Sequence, residues 1–163
     1  MKKFLKMLLP LFLVVAVFTA CSSKPTEGTT GGETTETTDT IKIGTIYAMS
    51  GDKAAIGENI LRGIDFAVKE INDAGGVNGR MLEVVRGDHA ADAATGKSEA
   101  ERLITQEHVD VIMGCHMSTV TEVVAQVAQQ YGVPMITAIS TLDKLSDADH
   151  AEYDYFFRLC PLN

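Results

Sequence analysis

Cysteine is too scarce in this sequence to build a disulfide framework. Three cysteines stand in 163 residues, Cys21, Cys115 and Cys160. An oxidising compartment would permit one bridge between the last two, but Cys115 is expected at the end of a buried strand and unbridged. Positive charge is short as well: 14 Lys and Arg against 22 Asp and Glu leave a net charge of −8. Three of those lysines (Lys2, Lys3, Lys6) crowd the N-terminus, so the folded part has no basic cluster, and nucleic acid is not expected as a partner. The apolar run Met7 to Phe18 falls short of the roughly 20 residues that cross a hydrocarbon layer. No Gly-x-x-x-x-Gly-Lys-Ser/Thr loop occurs, and no Gly-x-Gly-x-x-Gly follows the first expected strand, so neither nucleotide chemistry nor a cofactor is expected.

What is present begins with an export signal. Met1-Lys2-Lys3 opens the chain, an apolar core follows, and small residues precede Cys21. Thr19-Ala20-Cys21 resembles the lipobox of bacterial lipoproteins, with Phe18 standing where an aliphatic residue is usual. The resemblance implies a diacylated Cys21 as mature N-terminus, and more than one acyl chain gives stable anchoring. Residues Ser22 to Thr40 contain no aliphatic side chain. They cannot bury enough apolar surface to offset ordering entropy and are expected to form a tether. The expected organisation is therefore signal 1–20, lipidated cysteine and linker 21–40, and folded domain 41–163. The expected location is the cell membrane, with the domain facing outside the cytoplasm.

Within the folded part, apolar patterning alternates between strand and helix. Ile41 to Ala48 reads as a buried strand. From Ala54, the residues Ile60, Ile64, Ala67, Val68 and Ile71 recur at helical steps. Gly75-Gly76 ends that helix and Asn78-Gly79 reverses the chain. Strands are then expected at Met81–Val85, Val109–Gly114, Val133–Thr137 and Tyr155–Arg158. Helices are expected at Thr95–Gln106, burying Ala100, Leu103 and Ile104, and near Ser118–Tyr131, burying Val120, Val123, Val124 and Val127. Ser140 to Asp149 reads as polar loop or short turn. The order predicts an α/β fold, an open parallel sheet with helices on both faces.

Such sheets bind ligands beyond the carboxyl ends of their strands. That rule selects Met49–Ala54, Gly114–Thr119 and Ala138–Leu142. Ser118 falls where strand gives way to helix and reads as an N-cap. Its hydroxyl and the N–H groups of Ser118 and Thr119 would suit a carboxylate. Across the crevice, the Thr141 hydroxyl could donate to the same carboxylate and the Ile139 carbonyl could accept from an ammonium, with Ser140 between them. Complementary groups on adjacent loops suggest a small zwitterion. Two other chemistries are weaker. His116 and Ser118 could be base and nucleophile, but a Gly-x-Ser-x-Gly elbow is lacking. Asp88, His89 and Asp92 could ligate a metal, although a solvated turn explains them as well, and no metal is expected.

Several segments together resemble the branched-chain amino-acid (Leu/Ile/Val) binding protein family of transporter receptors. They are Ile41-Lys42-Ile43-Gly44, Met49-Ser50-Gly51, Gly57 with Gly63, the run Asn72 to Gly79, Gly132 to Ile136, and Phe157-Arg158. The resemblance implies two α/β lobes closing over a small ligand, of which this chain would be the first. It also implies an ABC permease in the membrane as partner. By position, Ser118 and Thr119 match the carboxylate loop, Ile139 the ammonium acceptor and Thr141 the threonine touching both. Ser50 lies in the first ligand loop, and Ile56 stands where leucine-type receptors often place an aromatic ring. Ala91 and Met117 occupy the positions of a disulfide found in some relatives. The expected role is delivery of an amino acid, a branched-chain one by the resemblance, or of a related small polar solute to an ABC transporter; the alternatives are a sensory ligand-binding domain and, behind it, the His116/Ser118 hydrolase.

Overall fold

The computed structural model describes residues 40–145 and 153–161. The signal, Cys21 and nearly all of the expected tether lie outside the described residues, as does part of the polar stretch before the last strand. Five strands form one parallel sheet: β1 (Ile41–Tyr47), β2 (Leu82–Asp88), β3 (Val111–Gly114), β4 (Met135–Thr137) and β5 (Phe156–Arg158), in the order β2-β1-β3-β4-β5. Three helices connect them: α1 (Ala54–Asp73), α2 (Ala93–Thr105) and α3 (Ser118–Tyr131). Short 3₁₀ turns stand at Gly51–Lys53 and Asp143–Leu145. The expected parallel α/β sheet is what forms.

The chain steps one way from β1 to β2 and the other way through β3, β4 and β5. Right-handed crossovers therefore put α1 on one face and α2 with α3 on the other. Gly44 and Gly87 approach Leu103 of α2, which fixes the alternation. The α2/α3 face holds the core, with Ile46, Leu103, Ile112, Val120, Val124 and Met135 all fully buried. Ala100, Leu103 and Ile104 turn inward as expected; Val123 is only half-buried, though it packs against the core.

On the other face α1 departs from its expected pattern. Leu61 and Gly57 are its buried residues, Ile60, Ile64 and Val68 are half-buried, and Ala67 and Ile71 are exposed. A single helix cannot cover that face, so its apolar stripe is only partly enclosed. Gly57 is buried because it must be: a Cβ there would lie 1.8 Å from the Ala48 carbonyl oxygen. The missing side chain lets α1 sit on the end of β1.

The Asn72 to Gly79 motif has a structural purpose. The Asn72 amide donates to the Leu82 carbonyl at 2.9 Å and accepts from its N–H at 2.7 Å, mimicking a strand partner at the edge. Gly76 has φ +74°, and a Cβ would stand 2.1 Å from the Arg80 carbonyl oxygen. Asn78 and Gly79 (φ 52° and 81°) then make the reversal between Val77 and Arg80.

Element boundaries shift by two or three residues. β2 runs to Asp88 instead of Val85, because its register against the seven-residue β1 continues to Tyr47. Polar Arg86 and Asp88 on an edge strand hide that from the apolar pattern. β4 starts after Pro134, which has no N–H to give a ladder. α2 begins at Ala93 because the Asp92 side chain caps it, accepting from Thr95 N–H at 2.7 Å. Both described cysteines are free, Cys115 buried at the end of β3.

Candidate functional site

The order β2-β1-β3-β4-β5 reverses direction between β1 and β3, and a crevice opens where the chain leaves a sheet in opposite directions. The loops after β1 and β3 border that point, with the loop after β4 next along. All three loops expected to carry the site lie at the carboxyl edge of the sheet.

Ser118 is not the N-cap. Met117 holds that position, in extended geometry (φ −106°, ψ 123°), without a side-chain cap, and Ser118 is the first residue of α3. The Thr121 hydroxyl donates back to the Met117 carbonyl at 2.9 Å, a contact that leaves the first N–H groups of the helix uncapped. The correction frees the serine: its hydroxyl meets Ser140 Oγ at 3.3 Å instead of closing its own helix. Intrahelical bonding begins only with Val120 and Thr121 N–H donating to the Met117 carbonyl at 3.1 and 2.9 Å. The N–H groups of Ser118 and Thr119 precede it and stay at the positive end of the helix dipole.

A buried hydroxyl relay joins the two loops. Thr137 Oγ donates to the Cys115 carbonyl at 3.1 Å and accepts from Ser140 N–H at 3.2 Å. Thr121 Oγ reaches the same carbonyl at 3.4 Å. From beyond β5, the Cys160 thiol lies 3.0 Å from the Ser140 carbonyl, and Leu159 N–H donates to Thr137. Arg158, its side chain only 4% exposed, pairs with Asp143 at 3.0 Å and ties the far side of the loop. Ser140 is fully buried in this network, Thr141 is half-buried beside it, and Ile139 is 44% exposed at the rim. Sequence reading missed Thr121 and Thr137. A threonine closing a short apolar strand was the available signal, but its buried partner is another loop's carbonyl.

The structure brings Ser118 and Ser140 together and leaves Ser50 and Ile56 outside the hydrogen-bonded set. Ser50 is exposed, and its hydroxyl bonds Asp88. Ile56 is 47% exposed on α1. Burial alone would raise the Asp88 carboxyl. Hydrogen bonds from Met49 N–H (2.8 Å), the Ser50 hydroxyl and Ala90 N–H (2.8 Å) together outweigh it and hold the group below its usual range. Asp88 thus ties the end of β2 to the β1 loop.

Between these loops lies an aromatic cluster. The His116 ring stacks near Tyr47 (centroids 6.2 Å) and lies 5.2 Å from the fully buried His89. His89 Nδ1 accepts from Ala91 N–H at 3.0 Å. Its Nε2 and both nitrogens of His116 are buried with no hydrogen-bond partner. Burial lowers both imidazoles; for His89 the neighbouring His116 adds to this and for His116 Lys53 does. No hydrogen bond therefore links His116 to Ser118, the contact a nucleophile–base pair requires. Asp88, His89 and Asp92 each have a backbone partner, and among the described residues no group of three or more His, Cys, Asp or Glu side chains is placed to hold a metal. A separate groove of about 360 Å³ along α1 and β2 is crossed by the Arg86–Asp65 ion pair; of the strand-end loops it receives only Met49.

A family model of periplasmic binding proteins matches residues 40–163. The chain belongs to the periplasmic binding protein family. Among curated members, Leu/Ile/Val-binding protein homolog 7 of Brucella abortus is 39% identical over 107 residues, 66% of this chain and 27% of that protein. Homolog 8 from the same organism is 34% identical over 121 residues, 74% of this chain and 29% of that one. Solved periplasmic binding proteins share the fold. The branched-chain amino-acid transporter binding protein of Streptococcus pneumoniae, in complex with isoleucine, has a TM-score of 0.68 at 35% identity, covering 76% of this chain and 34% of that chain. A Rhodopseudomonas palustris solute binding protein with 3,4-dihydroxybenzoic acid has a TM-score of 0.65 at 29% identity, covering 74% and 31%. This periplasmic binding protein chain thus spans about a third of the length of the relatives it matches.

Proposed function

We propose that this chain forms the first lobe of an extracytoplasmic receptor that binds an amino acid or related carboxylate and delivers it to an ABC permease. The observation that carries this reading is the meeting of two loops at the strand ends. The start of α3, with its unbonded Ser118 and Thr119 N–H groups and the Ser118 hydroxyl, stands against Ser140 at 3.3 Å. Those N–H groups and the Ser118 and Thr141 hydroxyls hold the carboxylate; the Ile139 carbonyl accepts from an ammonium. Ser50 and Ile56 border the ligand from the β1 side. Solved neighbours carry isoleucine, leucine, 3,4-dihydroxybenzoic acid, 4-hydroxybenzoate or benzoate. These ligands share a carboxyl group and little else, which supports a constant carboxylate end and a variable far end. Cys21 carries the lipid that holds the receptor at the membrane, with residues 22–40 as its tether.

Calorimetry on the full-length receptor tests the carboxylate site. Removing a hydrogen bond to a charged group costs about 1.5–3 kcal/mol, roughly ten- to hundredfold in affinity. Ser118→Ala and Thr141→Ala should each lose that much for a bound amino acid or benzoate while melting as the wild type does. Unchanged affinity in both would move the carboxylate elsewhere.

A further inference from the structure

We propose that His116, backed by His89, reads the far end of the ligand and selects carboxylates bearing a hydroxyl or carboxamide there over purely aliphatic or unsubstituted aromatic ones. The inference rests on the carboxylate site of the preceding section and adds the opposite end of the ligand to it.

Position comes first. Met117 is extended, so the residues on either side of it lie about 7 Å apart along the chain. His116 turns towards Tyr47 and His89, beyond β1 and β2, and Ser118 towards Ser140, beyond β4, so the two side chains border the crevice from one loop. That separation suits a small ligand whose carboxylate is at Ser118 and whose other end reaches His116. His116 is the outer member of its cluster, half-buried, whereas His89 behind it has no exposed surface. The His116 ring lies nearly parallel to that of Tyr47 with centroids 6.2 Å apart, and engaging a ligand requires its edge to turn towards the crevice.

Hydrogen-bonding capacity comes second. Because Ala91 N–H donates to His89 Nδ1, the neutral ring carries its proton on Nε2, a donor without a partner. A neutral His116 contributes one donor and one acceptor, also buried and unpaired. Buried polar atoms are nearly always satisfied in folded proteins, and three orphans in one cluster call for partners that the protein's own groups do not supply. Together they offer two donors and one acceptor. A hydroxyl or a carboxamide, each both donor and acceptor, matches that set. An isopropyl group or a bare phenyl ring matches none of it. Ile56 and Ile139 supply apolar surface at the crevice, but neither can satisfy an imidazole.

The test uses the full-length receptor and three near-isosteric pairs in calorimetry: threonine and valine, asparagine and leucine, 4-hydroxybenzoate and benzoate. The polar member of at least one pair should bind tenfold or more tightly, the usual scale of one satisfied buried hydrogen bond. His116→Leu should erase or reverse that preference while leaving the weakening by Ser118→Ala intact. His116→Gln, which keeps a donor and an acceptor, should retain it. If His116→Leu melts too low to assay, His116→Phe keeps the ring against Tyr47 and serves in its place. Tighter binding of the apolar members, or a polar preference that His116 variants do not move, overturns this inference and leaves the carboxylate site standing. Binding of none of the six, with a folded protein, removes the carboxylate-receptor reading and this one with it.

Discussion

Asp88 shows how one side chain can hold several strand ends together. Its carboxylate accepts from Met49 and Ala90 N–H and from Ser50, so the β1 loop is built on a charge at the end of β2. Asp88→Asn replaces that charge with an amide, whose one acceptor oxygen is weaker. The loss should be about 1–2 kcal/mol, the lower part of the range because the group is partly solvated. Its native pKa is depressed, so the contribution is present above the unfolded value of 3.8 and disappears as pH falls through the lower native value. Urea titrations should therefore separate the two proteins at pH 7 and bring them together as pH falls below 3.8. The two imidazoles give an independent dependence on pH. His89 and His116 are both held below the ordinary 6.5, so the unfolded chain binds protons first as pH drops. Stability is full above 6.5 and is lost progressively below it. The groups facing this pair are Asp88, which favours protonation of His89, Lys53, which opposes it at His116, and the neutral Tyr47 and Cys115, whose burial pushes their pKa values up. A denaturation series from pH 7.5 to 5 should show the fall, and His89→Leu should flatten it. A wild-type curve level across that range would mean that the imidazoles are not held neutral by the fold.

At the scale of elements, two glycines of α1 with the same sequence appearance have opposite roles. Gly57 faces the Ala48 carbonyl, where a Cβ has no room; Gly63 meets nothing within 4 Å. Gly57→Ala must lift the helix off the end of β1 and should cost about 2–3 kcal/mol, net of the helix propensity gained. Gly63→Ala has only the propensity to gain and should stabilise by up to about 1 kcal/mol. Thermal melts of the two variants should move in opposite directions; a common direction would mean that α1 does not rest on Ala48. The same contrast explains what could be read from the chain. α2 and α3 were legible because their inward residues meet a closed core and keep a clean helical period. α1 misled, since its face is shared with no second helix and Ile71 and Ala67 remain exposed. Ser118 stands at the expected turn but in another role, because N-cap preference is a statistical rule and the hydroxyl here meets Ser140 on the neighbouring loop. The Thr137 relay was illegible for another reason: the carbonyl it donates to lies 22 residues back along the chain, at Cys115, and no local pattern carries that distance.

On the scale of the molecule, the two faces of the sheet are unequal, and that bears on whether one lobe can act alone. By register, Ile43, Thr45 and Tyr47 of β1 share the α1 face with Val111 and Met113 of β3, Ile136 of β4 and Phe157 of β5. Burial decreases outward across it: the β1 residues are buried, Met113 and Ile136 half-buried, Phe157 51% exposed, and Leu159 just beyond β5 76% exposed. The matched relatives are about three to four times as long as the stretch they share with this chain, so further polypeptide is available in them to cover such a face and to close over a ligand. Small-ligand sites typically bury 70–90% or more of the ligand, whereas a single row of strand ends leaves one side of it in water. The segment Ile41 to Asn163, expressed alone, should therefore bind the receptor's ligand at least about a hundredfold more weakly than the full-length protein, equivalent to roughly 2.7 kcal/mol. It should also self-associate with rising concentration, because contiguous exposed apolar surface seeks a partner. Parallel calorimetry of segment and full-length protein, with sedimentation of the segment over a range of concentrations, separates the two consequences. Weak binding by a monomeric segment would assign the deficit to the missing closure alone. Equal affinities would show that the loops after β1, β3 and β4 form the whole site, and two-lobe closure would then contribute nothing to holding the ligand.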